Sequence, residues 1–251
     1  MKKRISLADV RATTSQSAQD PFVVKYFARP IAFRLTPYFY NSGWSPNGMT
    51  YLCFLLSTAS LLLLLFAGNV TCVVASVLFY TMAVLDCVDG NLARVSNAAS
   101  YYGKFIDGVA DVIFPFLSPF CAGLGLFLAG ESACWMIAGA ILSVSTLSTH
   151  YVRSRYSFFR TWLILETGPI TPDETSRLAG PVASEERATN IYVNTSLLTP
   201  LFLFIPFIGL KIYLVATLLL LPLSNVWLVI AIFKQATITL IRWRRSRHAT
   251  S

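Results

Sequence analysis

Charge is scarce in this chain. Of its 251 residues only 13% are Asp, Glu, Lys or Arg, against about 25% in an ordinary soluble domain. Histidine is nearly absent, with two in the whole sequence. The five cysteines (Cys53, Cys72, Cys87, Cys121 and Cys134) form no CxxC pair, which argues against both a zinc site and a disulfide framework. All five fall in or beside apolar stretches and read as small packing residues. The start, MKKRISLADVRATTSQSAQD, is basic but lacks an apolar run, so it does not read as a cleavable signal peptide. No internal repeat is visible. The net charge of +8 comes without any nucleic-acid-binding motif, so no nucleic-acid partner is expected.

What replaces charge is hydrophobic length. Apolar residues make up 55% of the chain, and the mean hydropathy is +0.60. A helix needs about 20 apolar residues to cross a bilayer core, and six stretches qualify: 47–68, 71–93, 105–129, 132–154, 190–209 and 212–234. The expected fold class is therefore an all-α integral membrane protein. Basic residues fix its orientation. With six spans and both termini inside, 19 of the 20 Lys and Arg residues lie on the inner side, leaving Lys211 outside. That distribution follows the positive-inside rule and predicts an N-in, C-in topology. The basic excess is thus mainly topological, with some attraction to anionic headgroups of the lipid bilayer.

The chain divides into a polar N-terminal tail (1–20), an interfacial amphipathic helix (21–44), a six-helix membrane catalytic domain (45–241) and a basic C-terminal tail (242–251). The tail is expected to be loosely ordered. In PFVVKYFARPIAFRLTPYFY, aromatics and aliphatics alternate with Lys25, Arg29 and Arg34, as suits a helix lying in the headgroup region. Pro30 is expected to kink it. Ser45, Pro46 and Asn47 read as the turn that starts the first span. Outer loops are short, whereas the inner segment 156–187 is long, so substrate access is expected from the inner face.

The stretch LDCVDGNLARVSNAASYYGKFIDGVAD, residues 85–111, carries the chemistry. Asp86 and Asp89 lie one helical turn apart, as do Asp107 and Asp111. Asp86, Asp89, Gly90 and Ala93 share one helical face. The link to Gly103 is so short that the second and third spans must pack as antiparallel neighbours, bringing both carboxylate pairs together. Four carboxylates at a membrane edge are costly unless a cation offsets them. Hard oxygen ligands favour Mg²⁺, Mn²⁺ or Ca²⁺ over zinc. Gly90 and Ala93 leave room for a bulky ligand, and Arg94 can grip a phosphate with its guanidinium fork. Taken together these features describe a diphosphate site.

The run Asp86-x2-Asp89-Gly90-x2-Ala93-Arg94-x8-Gly103-x3-Asp107-x3-Asp111 resembles the complete motif of the CDP-alcohol phosphatidyltransferase family. The interfacial helix and the sequence Pro46-Asn47-x2-Thr50 are similar to that family too, so the resemblance covers most of residues 21–240. It implies an enzyme, a transferase of substituted phosphate groups. An acceptor hydroxyl attacks a CDP-alcohol and CMP is released, usually in phospholipid biosynthesis with CDP-diacylglycerol as donor. By the same resemblance Asp86, Asp89 and Asp107 are metal ligands, and Asp111 shares ligation or acts as the general base. Mg²⁺ or Mn²⁺ is the implied cofactor. Gly90, Ala93, Arg94 and Gly103, with Asn47 and Thr50, would shape the nucleotide site. The HYVRSR sequence resembles a basic stretch that holds an anionic acceptor in relatives. Arg153 and Arg155 within it are i, i+2 and cannot share a face, so one is expected to point into the cavity. His150 reads as a hydrogen-bonded interfacial residue.

Some alternatives stay open. YFARPIAFRLTP followed by WSPNGMT resembles members that join inositol phosphates, which use a soluble CDP-inositol donor. Membrane prenyltransferases also bind diphosphates through Asp-rich helices, but lack the Gly-x2-Ala-Arg continuation. A divalent-cation transporter would explain intramembrane acids, although these cluster at one membrane face. The resemblance further implies a homodimer in the cell membrane, with a small alcohol or lipid acceptor and an active site at the cytoplasmic face. Gly123, Gly125, Ala138 and Gly139 permit close helix contacts.

Overall fold

The computed structural model describes residues 4–13, 21–167 and 183–250, and every regular element among them is helical. A short helix α1 (Leu7–Thr13) precedes a π-helical turn, Val24–Ala28, which runs straight into α2 (Arg29–Asn41). Then follow α3 (Pro46–Leu64), α4 (Asn69–Val95), α5 (Tyr101–Leu128) and α6 (Ala133–Thr167). After residues 168–182 come α7 (Ala183–Leu198), a 3₁₀ turn (Thr199–Phe204) and α8 (Gly209–Thr250). Five of these, α3, α4, α5, α6 and α8, are long and apolar enough to cross a membrane. The chain is an integral membrane protein.

The expected fifth span, 190–209, takes another form. Its first half carries Asn190, Asn194, Thr195 and Ser196, and its second half changes to the tighter 3₁₀ geometry at Thr199, beside Pro200. Proline has no N–H for an α-helical bond, so the helix cannot continue unchanged through this point. The segment 156–187, expected as a long inner loop, also differs from expectation: α6 continues as helix to Thr167, and the remainder up to residue 182 lies outside the described residues. At the N-terminus, the tail expected to be loose contains α1. Val10 of α1 is fully buried, and Asn41 holds Ile5 through two bonds of 3.1 Å, one to its N–H and one to its carbonyl.

Pro30 leaves its mark as the π-turn. The Arg29 N–H reaches back five residues to the Val24 carbonyl, widening the turn ahead of the proline, and Pro30 then occupies the first turn of α2, where no N–H is needed. Sequence signals also start the spans. Ser45 accepts from the Gly48 N–H at 3.1 Å to cap α3, with Pro46 at its first position. Ser100 accepts from the Gly103 N–H at 2.9 Å to cap α5.

Small residues set the helix spacing. A Cβ on Gly125 would strike the Leu64 carbonyl oxygen of α3, and one on Gly123 or Gly139 would strike carbonyls of Trp135 or Pro119 across the α5–α6 contact. In lipid, where apolar surface gains little by leaving one apolar medium for another, such backbone approach supplies the packing. One core layer, at the end of the bundle away from the motif, joins Leu64, Ala75, Ala122, Leu142 and Leu214. A second, nearer the motif, joins Ala32, Met49, Cys53, Leu85, Val88 and Leu92. A third ties α6, α7 and α8 through Tyr156, Tyr192, Leu228 and Ile232. Cys53 and Cys72 are buried as expected, while Cys134 is exposed; all five cysteines are free. Lys211, the basic residue assigned to the outer side, pairs with Glu131 at 2.6 Å.

Candidate active site

The end of α4, the start of α5 and the first turns of α3 meet at one end of the bundle. Ligand oxygens of Asp86, Asp89 and Asp107 all lie within 4.8 Å of one another. Asp89 is 6% exposed, and Thr50 of α3 donates its hydroxyl to Asp89 Oδ2 at 2.8 Å. Three carboxylates so close repel strongly unless a cation lies between them. Their all-oxygen donor set suits a hard divalent ion. The residues therefore fit a divalent metal.

The residues expected around a nucleotide come together on the same end. Arg94 folds back over Gly90, where an added Cβ would sit 3.3 Å from Nη2. A Cβ on Gly103 would sit 3.0 Å from Asn47 Oδ1, so the Asn47 side chain of α3 lies against the first turn of α5. Glycine at both positions lets these polar side chains lie close against the backbone. Ala93 is half-buried on the α4 face that carries these groups.

Two further residues hold this side in place, and the motif reading did not include them. Arg94 donates from Nη2 to Asn91 Oδ1 at 2.9 Å, and Asn91 donates in turn to Thr36 Oγ1 at 3.1 Å. Thr36 is fully buried and Asn91 nearly so. The amphipathic helix α2 is thereby coupled through α4 to the guanidinium. The i, i+3 spacing of Asn91 and Arg94 was a readable signal; the contact with Thr36, 55 residues away, was not.

A cavity of about 280 Å³ opens on the other side of the carboxylates, lined by Asp86 and Asp111 together with Arg153, His150, Tyr192 and Ser196. Asp111 thus stands one turn beyond Asp107, on the cavity wall. Arg153 and Arg155 part company: Arg153 lines the cavity, whereas the Arg155 guanidinium lies 5.0 Å over the Phe158 ring. His150 does more than sit at an interface, since it shares this cavity and bonds Tyr192 at 2.9 Å. An apolar groove on the outer surface of the bundle, bounded by Tyr26, Ile31 and Phe204, shares Val23, Phe27, Tyr80 and Leu197 with the cavity wall.

The family model of the CDP-alcohol phosphatidyltransferases matches residues 44–165, which hold every carboxylate described above. Residues 44–165 belong to the CDP-alcohol phosphatidyltransferase family. Curated relatives of the transferase domain carry the name bifunctional IPC transferase and DIPP synthase. The one from Aquifex aeolicus is 31% identical over 108 residues, 42% of this chain and 24% of that protein. The one from Archaeoglobus fulgidus is 28% identical over 174 residues, 68% of this chain and 34% of that protein. The chain spans between 22% and 34% of the length of the curated relatives it matches.

Proposed function

We propose that this CDP-alcohol phosphatidyltransferase domain moves a phosphatidyl or related phospho-alcohol group from a CDP-alcohol to an acceptor hydroxyl, releasing CMP. The observation that carries the reading is the meeting of Asp86, Asp89 and Asp107 within 4.8 Å, beside a cavity that also holds Asp111 and Arg153. Asp86, Asp89 and Asp107 would hold the metal, Mg²⁺ or Mn²⁺, with Asp111 adjoining. When bound, the metal offsets charge on the diphosphate and on the departing CMP. Gly90, Ala93, Arg94, Gly103, Asn47 and Thr50 seat the nucleotide and its phosphates. The acceptor oxygen bonds to the phosphorus distal to cytidine, the bond from that phosphorus to the CMP oxygen breaks, and the Asp111 carboxylate takes the hydroxyl proton. Arg153 faces the acceptor; Arg155 is an anchor outside the cavity.

CDP-diacylglycerol is the first donor reading, and phospholipid synthesis its context. The apolar groove that shares four lining residues with the cavity supports it, since an acyl chain can lie there while the headgroup reaches the carboxylates. The second reading, a soluble CDP-inositol-type donor, is supported by the likeness to bifunctional IPC transferases and DIPP synthases. The two are separated by CMP release from purified protein with Mg²⁺. CDP-diacylglycerol and CDP-inositol are each offered across a panel of acceptor alcohols. Acceptor-dependent CMP from one donor names the branch. CMP from neither donor refutes the reaction.

The same proposal includes a sixth crossing made by α7 and the 3₁₀ turn. Their 16 and 6 residues reach about 36 Å at helical rises of about 1.5 and 2.0 Å per residue. Both termini and the carboxylate end then face the cytoplasm, in keeping with the basic residues. A homodimer would have to use faces other than Gly123, Gly125 and Gly139, which are taken up by packing within the chain.

A further inference from the structure

We propose that Thr36 and Asn91 are positioning residues for the nucleotide's phosphates, acting through Arg94. A relay of three hydrogen bonds ties the guanidinium to the backbone of the interfacial helix α2. This inference rests on the transfer reaction proposed above and deepens it by adding to donor binding two residues that the aspartate motif does not specify.

The chemistry of the relay allows one arrangement. A guanidinium only donates, so the atom of Asn91 that meets Arg94 Nη2 at 2.9 Å is the amide oxygen. The amide nitrogen then faces Thr36 Oγ1 at 3.1 Å, and that hydroxyl accepts. Its own proton goes to the Ala32 carbonyl, 2.7 Å away and one turn back in α2. Every bond thus points the same way, from the cation to a backbone carbonyl. Reversing the Asn91 amide would set its NH2 group against the guanidinium, donor against donor.

Both ends of the relay are held closely. Thr36 and Ala32 are fully buried and Asn91 is 3% exposed. Ala32 belongs to the core layer that also holds Val88 and Leu92, so a missing link leaves a polar group unsatisfied beside apolar side chains. At the other end, a Cβ on Gly90 would sit 3.3 Å from Arg94 Nη2, 3.5 Å from Nη1 and 3.7 Å from Cζ. The guanidinium therefore lies with its flat face toward the Gly90 backbone, and Asn91 fixes one edge of that plane. With a face and an edge both set, the fork is oriented before a phosphate arrives. A tie that only packed α2 on α4 would end at the Thr36–Asn91 bond; its continuation to a cation on the nucleotide side gives it a part in binding.

The test is calorimetric titration of the purified full chain with CDP in Mg²⁺, beside steady-state CMP release at saturating acceptor. Thr36→Val keeps the shape of the side chain and removes the hydroxyl. CDP should bind about three- to tenfold more weakly and donor KM should rise to match, the worth of one hydrogen bond. Acceptor KM and the Mg²⁺ concentration for half-maximal rate should not move. Thr36→Ser keeps the hydroxyl and should restore both constants. In an Arg94→Lys background the relay has lost its end, so Thr36→Val should change CDP affinity by less than about twofold, the non-additivity of coupled residues. Asn91→Asp supplies an arm independent of Thr36: its carboxylate competes with phosphate for the guanidinium and should also weaken CDP. Unchanged CDP affinity in Thr36→Val and Asn91→Asp, a fully additive loss on top of Arg94→Lys, or no recovery with serine would return both residues to packing. Wild-type protein that binds CDP with these dependences but releases no CMP from either donor would refute the reaction and leave the relay standing. Wild-type protein that does not bind CDP would overturn both.

Discussion

The two walls of the cavity beside the carboxylates are built on different principles. On one side the groups lie close together in sequence: residues 86–111 supply all four carboxylates, Gly90, Gly103 and the arginine, with Asn47 and Thr50 added from the first two turns of α3. That wall is cross-braced. Thr50 bonds Asp89, Asn91 bonds Thr36, and Arg94 bonds Asn91. On the other side Asp111 faces Arg153 and His150 of α6 and Tyr192 of α7, residues that meet because α5 packs on α6 while α6 and α7 each pack on α8. The first wall is suited to fixed chemistry, in which charges must be held at set distances. The second can change one side chain at a time, as suits a choice between acceptors.

The largest effect should come from breaking the first wall at its centre. Asp89→Asn removes one of three charges within 4.8 Å and should lower turnover by at least two to three orders of magnitude, as loss of a preorganised electrostatic group does, to about that extent. The protein should still purify from the membrane fraction with an unchanged gel-filtration profile. Chelation with EDTA should abolish turnover, and added Mg²⁺ or Mn²⁺ should restore it. Full activity in EDTA would remove the metal from the mechanism.

A step smaller is Thr50→Val, which keeps the shape of the side chain and deletes its 2.8 Å bond to Asp89. Residues that orient metal ligands typically carry about 10- to 100-fold in metal affinity or activity. The change should therefore appear as a higher Mg²⁺ concentration for half-maximal rate, partly overcome by excess metal. A purely lower maximal rate at saturating Mg²⁺ would place Thr50 with the nucleotide instead. Arg94→Lys comes next. Lysine keeps the charge but loses the fork and the bond to Asn91, so donor KM should rise about tenfold, the worth of one charge-assisted hydrogen bond, while acceptor KM stays constant.

The same contrast explains what could be read from the sequence. Local spacing encodes the first wall: i, i+3 and i, i+4 intervals place carboxylates on common faces, and a short link forces two helices together. Ser45 and Pro46 likewise marked the start of α3, whereas α5 starts at Tyr101 behind the Ser100 cap, ahead of the expected 105. Long-range contacts encode the second wall, and no spacing rule links His150 to Tyr192 across 42 residues. The N-terminal tail misled for a similar reason. Leu7–Thr13 is too short to show a period, and its helix is secured by the burial of Val10 and the bonds between Ile5 and Asn41. Apolar length alone also overstated the regularity of 190–209, where proline and four polar residues divide the segment into α7 and a 3₁₀ turn.

The finest discrimination lies between two arginines that sequence could not separate. Arg153 and Arg155 have the same charge, the same side chain and nearly the same depth on α6. Only the helical turn between them differs, about 200° for two residues at 3.6 per turn. Arg153 reaches the cavity, whereas Arg155 rests on Phe158. An exposed cation–π contact of this kind is worth about 0.5–1 kcal/mol, a stability effect with no route to the substrate. Arg153→Ala should raise KM for glycerol 3-phosphate or inositol 1-phosphate by about tenfold or more, the worth of a charged hydrogen bond, and leave donor KM alone. Arg155→Ala should leave all kinetic constants within about twofold, since no substrate contact is lost. Equal effects from the two substitutions would mean that their common positive charge attracts the acceptor from a distance. That outcome would grow at low salt and fade at high salt. A difference that persists at high ionic strength would instead locate the acceptor's phosphate against the Arg153 guanidinium.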